Sequence, residues 1–496
     1  MSRNRHRLTR LLFATIGALS TVVVLMPTGA GAAQSSAGAN WFAPAANGVV
    51  RKYKASYRRP VARRHVASRR QVAQRVQRIR RYSPARRNGA EVEWDDSFDT
   101  TTVRARRNPV SSIGNAGARA GAARLPGFSS LSRRRIGSRT PVFSKATIQA
   151  MQAAIARYEY IVSRGGWKKI PDGPTMRVGT SSPRVILLRQ RLSATGDLRQ
   201  QRGRQRSYDA YVGQAVQRYQ KRNGLLQTGT VNARTLKALN VSAAARLAQL
   251  KLNLARISKM VEGIGKKFIM VNLAAAELEA VEFGSVRSRH RTVVGKTDRP
   301  SPLISSRVVE VNFYPYWHVP ESIVHKDLIP KLKKDPAYLT RTNLRVLKDW
   351  GGEEVDPSTI DWNDPAAENY KFRQDPGPAN ALGFVRINFP NKHSVYMHDT
   401  PTKGLFSHGY RAYSSGCVRI QNVQDLVGWM LQKQKGWAPS RIDETIRMGE
   451  SKNVSLKKSI PLYWTYITAW ALPNGTVEFR RDLYGRDGVG MLAANY

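Results

Sequence analysis

The sequence predicts an α+β protein: a mostly β module with an inserted lid, a small all-α unit ahead of it, and a disordered basic N-terminal region. Three observations predict it. Apolar residues recur every three or four positions through residues 145–259; from Lys267 they alternate or run in short blocks bounded by Gly and Pro, the periods of helix and strand. Arginine dominates the first 140 positions of a 496-residue chain whose net charge is +48. The single cysteine, Cys417, sits in a turn of small residues, Ser414, Ser415 and Gly416, nineteen positions after His398.

Residues 1–32 read as a secretory signal peptide. Arg3, Arg5, Arg7 and Arg10 supply the positive end, residues 11–26 the apolar core, and Ala30, Gly31 and Ala32 the small residues of a cleavage site. The apolar run falls short of the roughly 18 to 20 residues that span a bilayer; the alternative is an uncleaved anchor. Either way the body of the protein is expected in the periplasm or cell envelope. A cation excess on this scale implies a polyanionic partner: nucleic acid, anionic headgroups or an acidic wall polymer. Export weakens the nucleic-acid alternative. Residues 33–140 hold arginine pairs at 58–59, 63–64, 69–70, 80–81 and 86–87, then an acidic island with Glu91, Glu93, Asp95, Asp96 and Asp99. Such a segment buries too little apolar surface to offset its ordering entropy. It would be an electrostatic tether to an anionic envelope surface, or a charged spacer.

Order is expected from about residue 141, in a helical scaffold segment, 141–181. Ile148, Met151, Ile155, Tyr158 and Ile161 mark a helix over 145–163, stopped by Gly165 and Gly166, with Trp167, Ile170 and Pro171 as an extended anchor. A three-helix unit follows at 182–240. Pro183 starts its first helix, faced by Val185, Leu188 and Leu192; Tyr211, Ala215, Val216 and Tyr219 line the second; Asn232 caps the third, which carries Leu236 and Leu239. The text RVILLRQRL, then YDAYVGQAVQRYQKRNGLLQTGTVNARTLKALN, resembles the peptidoglycan-binding type 1 domain. Tyr219-Gln220 stands for the usual Phe-Gln, and a basic insert occupies 199–206. The resemblance implies glycan binding or a purely structural role. Residues 241–266 hold a connecting helix with Leu247, Leu250, Leu254 and Ile257 on its face.

The catalytic module is expected at 267–450, completed by strands in 451–496. Its pattern gives a hairpin at 268–283, strands at 289–294 and 308–313, an aromatic run at 314–317 and a short helix at 325–335. Residues 336–380 are mixed and polar, as in a lid inserted between strands. Strands at 382–389 and 394–398 feed the cysteine turn, a helix at 423–432 follows it, and strands lie within 460–471 and 476–479.

A lone thiol cannot close an intramolecular disulfide, and an oxidising compartment penalises spare thiols. The competing possibility is a buried small hydrophobe. A cysteine nucleophile needs a lowered pKa or an adjacent base, a fixed orientation and donors for the oxyanion. Cys417 is the expected nucleophile, and His398, at a strand end, its base and later acid. Gly416 lets the backbone approach closely; with Ser414 and Ser415 it frames an oxyanion site in which the Cys417 amide donates. Arg419 suits a substrate carboxylate, and Asn422 the turn before the next helix. Arg419, Asn422, Tyr396, Tyr316 and Trp317 are the substrate-binding candidates. His318 and His325 are expected to be structural. No cluster has metal-ligand spacing, so neither metal nor cofactor is expected.

HDTPTKGLF and RAYSSGCVRIQN resemble the active-site motif of YkuD-type L,D-transpeptidases, in particular the large YcbB-like class. VVGKTDRPSP, NFYPYWHVP, DPGPANALGFVRINFPN and YWTYITAW fit that class too, so the resemblance covers roughly residues 141–490. Ser415 stands where many members have histidine, as is usual for the large class. Ser407-His408-Gly409 mimics the motif, but Tyr410 occupies the cysteine's place, so His408 is read as a loop residue. The resemblance implies attack by Cys417 on the carbonyl of the third residue of a tetrapeptide stem, loss of D-alanine, and resolution of the thioester by an amine on a neighbouring stem, a 3→3 cross-link. It implies no metal or nucleotide, capture by carbapenem-type β-lactams, and peptidoglycan stem peptides and glycan as partners. Two alternatives stay open: the same thioester passed to an outer-membrane protein, with the Arg-rich region as a further contact, or a non-catalytic wall-binding scaffold.

Overall fold

The computed structural model describes residues 138–200 and 203–488. The expected signal peptide, and the Arg-rich region up to residue 137, lie outside the described residues. Helix α1 (Lys145–Ser163) begins where Ser144 accepts from the Thr147 N–H at 3.1 Å. It ends at Gly165 and Gly166, with φ of 83° and 74°, a left-handed exit that glycine makes without strain.

The helical unit holds α2 (Pro183–Ala194), α3 (Ala210–Arg222) and α4 (Ala233–Leu239). Each is capped by a side chain, Ser182, Asp209 and Asn232, accepting from a first-turn N–H. Val185, Leu188, Leu192, Val212, Val216, Tyr219 and Leu236 close its core. Gln220 is consumed inside this fold. Its amide nitrogen reaches oxygens of Thr228, Thr230 and Thr235, and its Oε1 accepts from the Gly229 N–H. Helix α5 (Ala243–Val261) then packs on α1, Leu250 and Ile257 against Met151, Ala154 and Tyr158.

Fourteen strands follow among the described residues. β1 (Lys267–Asn272), β2 (Glu277–Glu282), β3 (Ser285–Gly295) and β4 (Ile304–Phe313) precede the insertion, which carries β5 (Trp317–His318), β6 (Leu344–Leu347) and β7 (Lys371–Gln374). β8 (Val385–Asn388), β9 (Met397–His398), β10 (Ala412–Ser414) and β11 (Val418–Ile420) lead to helices α6 (Val423–Leu431) and α7 (Pro439–Met448). β12 (Lys452–Thr465) returns through the sheet, and β13 (Ala469–Ala471) pairs with β14 (Val477–Phe479). Pairing runs β3-β11-β9-β8-β4-β12-β1-β2 and returns to β3, with β10 added along β3. The ladder closes on itself through β2 and β3, leaving β10 as its one edge strand among the described residues. In β1, Ile269 and Val271 join Val311, Ile387, Met397, Val418 and Leu462 on one face, while Phe268 and Met270 meet the α1/α5 layer on the other. Helix α6 packs Val423, Leu426 and Val427 into the first of these cores.

The expected α+β class is what the chain adopts, and the differences are local. The inserted unit has its own three-stranded sheet, β5-β7-β6, and its own core, in which Trp317, Leu328, Leu332, Val346, Phe372 and Leu382 are buried. It thus begins before residue 336. Between β5 and β6 its helical segments are Glu321–Ile323, a π-turn at Val324–Leu328, Ile329–Leu332 and Tyr338–Thr342. The strand expected at 394–398 keeps only Met397–His398, because Ser394 takes a left-handed φ of 53° and Asn391 closes a turn on Val395. β12 starts at Lys452 rather than 460, its first half hidden by polar side chains and a register shift between Ser455 and Ile460. Helix α7 was not anticipated. Among the described residues no helix is long and apolar enough to cross a membrane.

Candidate active site

Strands β9 and β11 are parallel neighbours, with Met397 opposite Val418 and His398 opposite Arg419. β8 flanks β9 on the other side, with Arg386 opposite His398. Side chains alternate along a strand. Ile387, Met397 and Val418 enter the core, so Arg386, His398 and Arg419 share the opposite face. Tyr396 and Cys417 immediately precede β9 and β11; Tyr396 packs against the inserted unit's core and Cys417 against the edge of the sheet core. The Val418 amide donates to the Tyr396 carbonyl at 3.2 Å, and the Tyr396 and His398 rings meet edge to face at 5.7 Å. Arg386 lies over the Tyr396 ring at 5.5 Å.

The turn that presents Cys417 is tied on every side. Gly416 has φ +120°, a conformation a side chain would strain, and its carbonyl accepts from Ser301 Oγ at 2.8 Å. Ser301 Oγ in turn accepts from the Gly295 N–H at the end of β3. Ser414 Oγ donates to the Cys417 carbonyl at 2.5 Å and accepts from the Gly416 N–H at 3.2 Å. Ser415 Oγ accepts from Arg299 at 3.1 Å, and Arg299 grips both carboxylate oxygens of Asp327, in the π-turn of the inserted unit. The Gly416 amide is therefore engaged, whereas among the described residues no backbone acceptor takes the Cys417 amide. The Cys417 N–H is the amide from which an oxyanion contact is expected.

Burial dominates the electrostatics. The Cys417 thiol is pushed up to about 11, chiefly by burial, against the opposing Tyr396 N–H, Arg419 and Arg386. His398 is pushed down to about 3 by burial first, then by the Arg419 and Lys403 cations. His398 is 5% exposed, and its Nδ1 is buried with no hydrogen-bond partner. At neutral pH the pair rests as thiol and neutral imidazole rather than as an ion pair. The next residue, Asp399, is also buried; it pairs with Lys403 and accepts from the Phe384 N–H. Burial raises its carboxyl pKa.

The structure brings together Cys417, His398, Arg419 and Tyr396, with Ser414, Ser415 and Gly416 as turn supports. It separates others. Trp317 is only 4% exposed, a core residue of the inserted unit that reaches the site by donating from Nε1 to Tyr396 Oη at 3.1 Å. Tyr316 is exposed, with Arg373 over its ring at 5.1 Å. Asn422 stands beyond the far end of β11, left-handed with φ 52° ahead of α6, without a side-chain cap bond. His408 stacks edge to face on Tyr413. His318 lies against Trp350, and His325 pairs with Glu368 at 2.5 Å. Among the described residues no three metal-ligating side chains cluster. Sequence reasoning missed Arg386, Arg299, Asp327 and Ser301, which belong to segments distant from the cysteine motif.

Residues 266–442 match the family model described as "L,D-transpeptidase catalytic domain" (YkuD), and residues 181–239 that described as "Putative peptidoglycan binding domain". A "Putative L,D-transpeptidase" of Haemophilus influenzae is 35% identical over 222 residues, 44% of this chain and 44% of the relative. The match thus spans less than half the length of that curated relative. Among solved structures, an L,D-transpeptidase (residues 123–326) from Xylanimonas cellulosilytica aligns at 14% identity over 60% of this chain and 99% of that one, with a TM-score of 0.20. One from Stackebrandtia nassauensis aligns at 12% over 60% and 96%, with a TM-score of 0.24. By its family matches the chain carries an L,D-transpeptidase catalytic domain of the YkuD type at residues 266–442, behind a domain of the peptidoglycan-binding family at residues 181–239.

Proposed function

We propose that the protein is an L,D-transpeptidase that forms 3→3 cross-links in peptidoglycan, with Cys417 as nucleophile and His398 as base and acid. The observation that supports this is the parallel register of β9 and β11, which sets His398 opposite Arg419, two residues after Cys417, with the Arg419 cation close enough to act on both the imidazole and the thiol. Because both partners rest neutral, proton transfer accompanies attack: His398 takes the thiol proton as sulfur bonds to the carbonyl carbon of the third stem residue. The Cys417 amide donates to the oxyanion, and Arg419 and Arg386 stabilise the developing negative charge. Collapse of the adduct breaks the amide bond. His398 returns its proton to the departing D-alanine nitrogen, and a thioester remains. An acceptor amine then attacks the thioester, His398 takes one amine proton and gives it to the leaving thiolate, and the cross-link amide forms. The motifs VVGKTDRPSP, NFYPYWHVP and DPGPANALGFVRINFPN support placing the protein in the large YcbB-like class.

The test is mass spectrometry of muropeptides from tetrapeptide-containing peptidoglycan incubated with the full chain, as wild type and as Cys417→Ala. Wild type alone is expected to yield 3→3 dimers, with at least 1,000-fold less product from the variant. Release of D-alanine without dimers would move the acceptor to another amine, such as that of an outer-membrane protein. No change in the donor, with wall binding retained, would leave a scaffold.

A further inference from the structure

A cleft of about 1360 Å³ opens among the helical unit, helix α1, the C-terminal strands and residues 407–412; Cys417 does not line it. Its lining holds ten arginines and one lysine against four carboxylates. Three of those carboxylates are already taken, Asp197 by Arg222, Glu279 by Arg289 and Glu478 by Arg480, at 2.5, 2.5 and 3.0 Å. Arg199, Lys221 and Arg234 are exposed, and none is ion-paired among the described residues. Arg481 keeps a buried Nε with no hydrogen-bond partner. Uncompensated cations in a concave wall repel one another and focus anions. Guanidinium groups match carboxylates in a bidentate fork.

The cleft exceeds the roughly 300–1,000 Å³ of small-molecule sites and is open, as suits a length of polymer. One wall is the peptidoglycan-binding-family unit. Another, residues 407–412, runs directly into β10 and the Cys417 turn. We propose that this cleft holds a peptidoglycan strand by the free carboxylates of its stem peptides, as a docking site apart from the thiol. The choice of polymer rests on the function proposed above; the cation excess does not.

The test uses the full chain as Cys417→Ala, so that bound strands are not consumed, with and without Arg199→Glu, Lys221→Glu and Arg234→Glu. The probes are soluble, un-cross-linked strands bearing tetrapeptides, the same strands with carboxylates amidated, and inorganic polyphosphate. Charge reversal is expected to weaken strand binding at least tenfold, amidation to do the same, and Arg199→Lys with Arg234→Lys to retain binding. Bound strands should also slow acetylation of Lys221 in the unreversed cleft, a local readout that needs no charge-reversed variant to fold. Equal binding by the reversed cleft, or protection of Lys221 by polyphosphate but not by strands, overturns the proposal. Thioester formation on wild-type Cys417 is measured separately. Its absence would sink the cross-linking function while leaving strand binding to stand or fall alone.

Discussion

His398 and Cys417 are both held uncharged by burial, and the two shifts act at opposite ends of the pH scale. The folded His398 titrates at about 3, against 6.5 for its ordinary value. Between those values the unfolded chain binds the proton and the folded chain does not, so acid removes stability as pH falls from 6.5 towards 3. The thiol acts in the other direction, its stabilising effect lost as pH rises from 9 towards 11. His398→Gln is therefore expected to remove up to about 1.4 kcal/mol per pH unit from the slope of unfolding free energy below neutrality. Urea unfolding at pH 7, 6 and 5 measures it, and an identical slope in both proteins would show that His398 charges freely in the folded state. At this scale the sequence was legible where chemistry and spacing coincide. A lone thiol after Ser-Ser-Gly and an upstream histidine announce themselves. Arg386 does not, because only the register of β8 on β9 makes it a neighbour of His398.

Strand pairing makes the site, and the inserted unit is tied to it at one point. Asp327, in the π-turn, is bound by Arg299, which also donates to Ser415, two residues before Cys417. Arg299 thus ties the Cys417 turn to the inserted unit through an ion pair that is partly buried, with side-chain exposures of 22% and 11%, and a positioning role is expected of it. Arg299→Ala is expected to cost roughly 1–3 kcal/mol of stability. It should lower the rate of Cys417 acylation by a tetrapeptide donor about tenfold, a rise of roughly 1.4 kcal/mol in the barrier. Alkylation of Cys417 by a small reagent, which does not require the turn to be poised, should change less than twofold. Arg299→Lys should recover only part of the acylation rate, since an ammonium cannot grip both carboxylate oxygens. Equal losses in both reactions would mean that Arg299 merely holds the fold. Helices with regular apolar spacing were readable from sequence because their periodicity is local. β6 and β7 were not, because four-residue strands in a polar segment gain their burial only from the insertion's own core.

Over the whole molecule, helix α5 and the C-terminal hairpin join the helical layers to the sheet. Asn253 is fully buried. It donates to Thr468 Oγ1 and accepts from the Thr468 N–H, both at 2.9 Å, just ahead of β13. Gln249, one turn earlier, reaches the carbonyls of Thr468 and Arg480. From the helical unit, Arg222 donates to the Val477 carbonyl of β14, and Arg480 donates back to the Arg222 carbonyl, both at 3.2 Å. These bonds are buried, so breaking one strands a polar group without water. Asn253→Ala removes both contacts to Thr468 and leaves its amide unpaired, a loss of about 2–3 kcal/mol. In a chain of this size that corresponds to a fall in Tm of several degrees. The physical consequence is cooperativity: if the helical unit and the catalytic sheet share this buried seam, neither melts alone. Calorimetry of the full chain should show the helical unit and the sheet unfolding in one endotherm, shifted downward as a whole by Asn253→Ala. Two endotherms, of which only one moves, would show that the helical unit is a separately stable module, and that the cleft between it and the sheet can open without unfolding either.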